Sequence, residues 1–208
     1  MTQDKLQTLF KDYFGLYNPS LAKGAALVAL LLDETLKRGE LDSSFNLLCG
    51  EIAPYLQDIS STEEKAEIFR LVLFDKLKFQ ISGLSVEKQL SLKQVIRTRN
   101  TTPMFMGVLY LLLAKNFHTP ACLGLSKGKI IVCFEKEYNF PNVYIGLNNS
   151  GAFITDSELS ARGVKQEFQI LSTKQIIKHL LSNLIYLYTK QNADDKKQFI
   201  QTILENCL

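Results

Sequence analysis

The chain has 208 residues, 46% hydrophobic and 22% charged, with 24 Lys+Arg against 21 Asp+Glu and a net charge of +3. That composition excludes a globally disordered chain, and the slight, scattered basic excess excludes the clustered positive face a nucleic-acid binder needs. The length suits one domain, or one domain with a small helical appendage.

The start of the chain, MTQDKLQTLFKDYF, carries acidic residues and no apolar core of the kind a secretory leader has, so a cytoplasmic location is expected. The longest apolar runs, 25–32 and 108–114, fall far short of the roughly 20 residues that cross a bilayer, and no membrane partner is expected. Four cysteines (Cys49, Cys122, Cys133, Cys207) without C-x-x-C spacing, and only two histidines, predict no metal site and no cofactor.

In chain order, a short amphipathic segment stops at Gly15 and the turn Asn18-Pro19. Ser20 then caps a predicted helix over 21–38, apolar around most of its circumference and closed by Lys37, Arg38 and Gly39. A second helix is predicted over 42–55, interrupted by Pro54, and a third from the capping-box pattern at Ser61 and Glu64 to about residue 79. A loop at Gly83 and Ser85 leads to a helix over 86–99. Pro103 suits the first turn of the next helix, where its missing N–H costs nothing. Nearly every residue from 104 to 115 is apolar, and Gly107 allows close approach by a neighbour, so this helix should be the most buried element.

After Pro120 the periodicity changes to that of strands. Residues 121–125 and 129–134 read as a hairpin turned at Lys127-Gly128, which sets Ser126 opposite Lys129 and Cys122 opposite Cys133. Facing cysteines either pack as small hydrophobes or bridge in an oxidising compartment, and the first is expected here. Residues 143–147 and 152–154 are further strands, and Asp156 caps a short helical turn over 157–162. Two helices close the chain, one capped by Thr173 and running to 188, one over 194–207. Their matching apolar stripes make an αα-hairpin, a unit that commonly presents a surface to peptides or helices.

These residues resemble the SirB-type family, a bacterial transglutaminase-like domain followed by tetratricopeptide-like helices. The family's central pattern is similar to Ser91, Leu92, Val95, Ile96, Arg99, Pro103, Tyr110 and Ala114. Upstream, AALVALLLDETLKRGELD resembles its first helix and LFDKLKF the segment before the central pattern. Downstream, Ser182-Asn183-Leu184-Ile185-Tyr186 holds most of a closing-helix hallmark. The resemblance implies an α+β fold: a transglutaminase-like (papain-like cysteine protease) core of helices against a small antiparallel sheet, with a helix-rich N-terminus. It also implies a division into a core at 1–170 and a helical hairpin at 171–208.

Catalytic members of such families use a cysteine at the start of the buried helix, a histidine on a following strand and an aspartate on the next. By the resemblance, the nucleophile slot lies at Thr102-Pro103-Met104-Phe105, the histidine slot at Lys129 and the carboxylate slot at Gly146. None holds the required group, so a pseudoenzyme that works through a protein partner is expected. Binding candidates are Arg99, Met104, Phe105, Lys127, Lys129, Cys122 and Cys133. The alternatives are a hydrolase or acyltransferase with a rearranged site at Cys122 or Cys133, and small-molecule binding in the emptied cleft. His118, beside a helix end, is expected to cap free carbonyls, and Arg99 to brace a helix junction against a carboxylate.

Overall fold

The structure, a computed structural model, describes residues 2–135, 142–149, 151–155, 158–159 and 168–206. Asp156, most of the helical turn predicted over 157–162, and Cys207 lie outside the described residues.

Helix α1 (Gln3–Gly15) seats Leu6, Phe10, Tyr13 and Phe14 on the core. Helix α2 (Leu21–Leu32) starts where Ser20 accepts a hydrogen bond from the Lys23 amide, but it ends before the predicted boundary. The Asp33 carboxylate accepts hydrogen bonds from both the amide (3.0 Å) and the hydroxyl (2.6 Å) of Thr35. This local turn competes with helix continuation, so the predicted 21–38 helix stops at Leu32. The chain re-enters a helix as α3 (Arg38–Ile52), and Pro54 falls within the 3-10 turn Ala53–Leu56.

Helix α4 (Thr62–Arg70) is capped as its sequence predicts, with Ser61 Oγ accepting from the Glu64 amide at 3.2 Å. It does not run on to residue 79. Residues Leu71–Lys76 widen into a π turn that brings Asp75 to Arg70 (2.9 Å), and Lys78 takes a left-handed conformation that ends the helix. The next residues form strand β1 (Gln80–Ile81), paired in parallel with β2 (Asn100–Thr101), a contact the sequence does not announce.

The predicted 86–99 helix is likewise two pieces, a 3-10 turn at Glu87–Leu90 and α5 (Leu92–Thr98), separated at extended Ser91. Gln89, 2% exposed, explains the break. Its Oε1 accepts from the amides of Ser85 (2.8 Å) and Val86 (3.2 Å), and its Nε2 donates to Ser82 Oγ (2.7 Å) and the Gly83 carbonyl (3.2 Å). One buried side chain thereby ties together Ser82, Gly83, Ser85 and Val86 of an exposed loop. Gln89→Ala removes these bonds and leaves a void at a buried position, and is expected to cost about 1–3 kcal/mol, read as a lower urea midpoint at unchanged m-value.

Helix α6 (Pro103–Asn116) begins as predicted, with Pro103 in its first turn and Thr102 Oγ1 accepting from the Phe105 amide. From Met104 to Leu113 it is buried on nearly every side. A Cβ on Gly107 would lie 2.5 Å from Leu123 Cδ1, so glycine sets how closely α6 approaches the sheet. At its far end the Phe117 carbonyl accepts from Lys65 Nζ (3.3 Å) and Thr119 Oγ1 (3.2 Å). These groups take the capping role expected of His118, which sits exposed at a left-handed residue.

Among the described residues that sheet is antiparallel with five strands, in spatial order β6 (Ala152–Ile154), β5 (Val143–Gly146), β4 (Lys129–Phe134), β3 (Ala121–Ser126) and β7 (Gln169–Ile170). Strands β3 and β4 form the predicted hairpin in the predicted register, Ser126 opposite Lys129 and Cys122 opposite Cys133. Lys127 (φ 47°) and Gly128 (φ 74°) give the turn the twist that matches its strands. Strands β5 and β6 extend one edge, and the two-residue β7 completes the other.

Helix α7 (Thr173–Lys190) is capped by Ser172 rather than by Thr173, because Ser172 and Gln175 hydrogen-bond each other's backbone amides. With α8 (Asp194–Glu205) it forms the closing hairpin. Ile176, Ile177, Leu180, Leu184 and Ile200 share one buried cluster with Val28 of α2, Leu109 of α6 and Phe134 of β4. Among the described residues no helix is long and apolar enough to cross a membrane.

Candidate functional site

Side chains alternate along a strand, so each sheet position belongs to one face. Ile130, Val132, Phe134 and Ile145 are buried in the cluster that contains α6. Ile131 belongs to a second, smaller cluster with Leu159, against which Tyr144, Ile154 and Phe168 pack. The α6 face is therefore the face of even-numbered β4 residues, and the outer face holds Lys129, Ile131 and Cys133.

The slots inferred from the resemblance do not converge. Pro103 and Met104 open α6 on the inner side, with Met104 5% exposed and Phe105 and Met106 fully buried. Lys129 and Gly146 take outer-face positions, and Gly146 pairs with Ile131. A shift of one residue, which moves a strand position to the other face, does not supply the chemistry either. The α6-facing neighbours are Ile130 and Ile145, both buried and aliphatic. Beyond the β4–β5 ladder, Asn148 Oδ1 accepts from the Ile130 amide at 2.8 Å. Met104 and Phe105 are core residues here and do not line an open cleft.

The remaining candidates are dispersed. Arg99 adopts a left-handed conformation after α5, pairs with Glu51 (2.9 Å) and lies 5.0 Å over the Phe79 ring, so it ties α3 to the β1–β2 junction. Lys127 and Lys129 stand exposed at the hairpin tip. Cys122 and Cys133 face each other on the outer face, away from α6, and both are free thiols. A hydrogen bond from the Cys133 thiol holds the Cys122 pKa below its ordinary value, while that bond and burial push Cys133 up. Burial raises Cys49 to about 11. Among the described residues no group of three or more His, Cys, Asp or Glu could hold a metal ion.

Sequence reasoning did not find a pocket of about 180 Å³ between α1, α2 and the C-terminal hairpin. Its apolar walls include Leu6, Leu31 and Phe199, and its rim carries the Glu87–Lys196 ion pair (2.9 Å). The pocket arises where separate helices meet, so no local motif announces it.

A buried helix laid across an antiparallel sheet, followed by a helical hairpin, makes this an α+β protein. The family model of the transglutaminase-like superfamily matches residues 40–194, most of the chain, and the chain belongs to that superfamily. The matched span reaches from α3 into α8. No curated protein matches, and no solved structure matches.

Proposed function

We propose that the chain is a SirB-type, non-catalytic transglutaminase-like protein, a pseudoenzyme acting in protein–protein interaction or regulation. The observation that carries this reading is the composition of the face where chemistry would be assembled. Pro103, Met104 and Phe105 open the buried helix, and Ile130 and Ile145 face it from the strands. None of these side chains can supply a nucleophile, a base or a carboxylate. The papain-like arrangement of the core belongs to the same reading, as does the tetratricopeptide-like character of the α7–α8 hairpin. The division at residue 170 then sets the hairpin apart as the element that meets the partner.

The hairpin is the favoured docking element because the start of α6 is filled. Its solvent side carries Tyr186, 54% exposed, with the Lys190 ammonium 4.5 Å over the ring. Exposed tyrosines are frequent anchors at interfaces.

Two measurements test the proposal. Assays of amine incorporation and amide hydrolysis on glutamine-containing peptides are expected to show no turnover above buffer. Turnover that disappears when the cysteines are replaced by serine overturns the non-catalytic reading. Crosslinking capture from the native cell extract is expected to retain a protein partner that Tyr186→Ala releases at least about tenfold more readily. Capture of nothing, or of partners indifferent to changes across the hairpin, overturns the interaction role.

A further inference from the structure

We propose that Cys122 and Cys133 form a modification site, a cross-strand dithiol that a hydroperoxide converts reversibly to an intramolecular disulfide. The inference is independent of the proposed interaction role.

The geometry comes from the hairpin register. Ser126 and Lys129 flank a two-residue turn and form a hydrogen-bonded pair, and alternation makes Cys122 and Cys133 hydrogen-bonded partners as well. Such partners hold their Cα atoms about 5.5 Å apart, inside the range a disulfide spans. Both side chains project from the same outer face at directly opposed positions.

The pair is asymmetric in the way a two-step oxidation requires. Cys122 is partly exposed and Cys133 is 3% exposed. The interaction with Cys133 favours the Cys122 thiolate, while the same interaction and burial disfavour the Cys133 thiolate. An oxidant thus meets the sulfur with more thiolate character, and a second sulfur is already in place behind it.

In the first step the Cys122 thiolate attacks a peroxide oxygen. An S–O bond forms, the O–O bond breaks, and hydroxide or alkoxide leaves. In the second step the Cys133 sulfur attacks the Cys122 sulfur. The S–S bond forms, the S–O bond breaks, and water leaves with the Cys133 proton. The two sulfurs together give up two electrons, and the hydroperoxide is reduced to water and hydroxide or an alcohol.

The full reduced chain, treated with hydrogen peroxide and analysed by intact mass and peptide mapping, tests this directly. The expected result is a monomer lighter by two hydrogens, a map linking residue 122 to residue 133, and recovery of the original mass with dithiothreitol. Cys133→Ser is expected to stop at a sulfenic acid on Cys122, trapped by dimedone, and Cys122→Ser to leave Cys133 unmodified at the same exposure. The proposal fails if the wild-type mass is unchanged, if it only gains oxygen, or if the bridge maps to Cys49 or Cys207. Labelling of Cys133 ahead of Cys122 also overturns it. The wild-type map distinguishes these outcomes even where a variant does not fold.

Discussion

Ile145→Asp is expected to destabilise the chain by about 3–5 kcal/mol or more at neutral pH, enough to unfold most of it. Ile145 is fully buried and lies in the α6-facing cluster among aliphatic and aromatic side chains. A carboxylate there would have no paired cation, and water is excluded from the site. The substitution is informative because it places an acid on the α6-facing side of the strand that bears the inferred carboxylate slot.

The loss should depend on pH with a definite sign. Desolvation raises the folded-state pKa of such a group above its unfolded value of about 3.9. Below that value the carboxyl is neutral in both states, and only the lost packing and polar burial count. As pH rises from about 3.9 towards the folded pKa, the unfolded state releases its proton first, and stability falls by about 1.4 kcal/mol per pH unit. Urea denaturation of Ile145→Asp and Ile145→Ala at pH 4 and pH 7 checks this. Equal differences between the two variants at both pH values would show that the site admits water or a compensating charge. Lys129→His, at an exposed position, serves as the comparison and is expected to stay within about 0.5 kcal/mol of the parent chain.

Phe105→Ala is expected to cost about 3–5 kcal/mol, the usual penalty for emptying a fully buried phenylalanine site. Phe105 is 0% exposed in the first turns of α6, between the Thr102 cap and the close approach of Gly107 to Leu123. The surroundings are poorly placed to collapse into the void, because α6 packs on β3 and β4 on one side and on α2 and α7 on others. Thermal and urea unfolding measure the loss. A cost below about 1 kcal/mol, together with binding of a small apolar ligand by the native parent chain, would mean that the start of α6 borders an open cleft after all.

Both substitutions probe one point, that the start of α6 is packed core. The resemblance supplied three slot positions, and the register separated them. Pro103 belongs to the helix side of the sheet, whereas Lys129 and Gly146 belong to the other. Linear spacing could assign these residues to slots. It could not say which face each strand would turn towards the helix, because strand periodicity is two and a one-residue difference in alignment reverses the answer.

The features legible in the amino-acid sequence alone are those whose causes lie within a few residues. Lys127-Gly128 sets a tight turn, and that turn fixed every pairing of β3 with β4, Cys122 opposite Cys133 included. Pro103, followed by an unbroken apolar run, determined both the start of α6 and its burial. Ser61 with Glu64 specified the start of α4.

Only the tertiary structure decided the rest. The Gln89 network divides a predicted helix because one buried amide gathers groups from Ser82 to Val86. Strands β1 and β2 are two residues each, too short for any periodicity, and each exists only because the other lies beside it. Strand β7 likewise exists only against β3, more than 40 residues earlier in the chain. Local propensity can choose a turn or a cap, but a contact between distant residues takes its stability from the packed whole, and no short stretch of sequence carries that information.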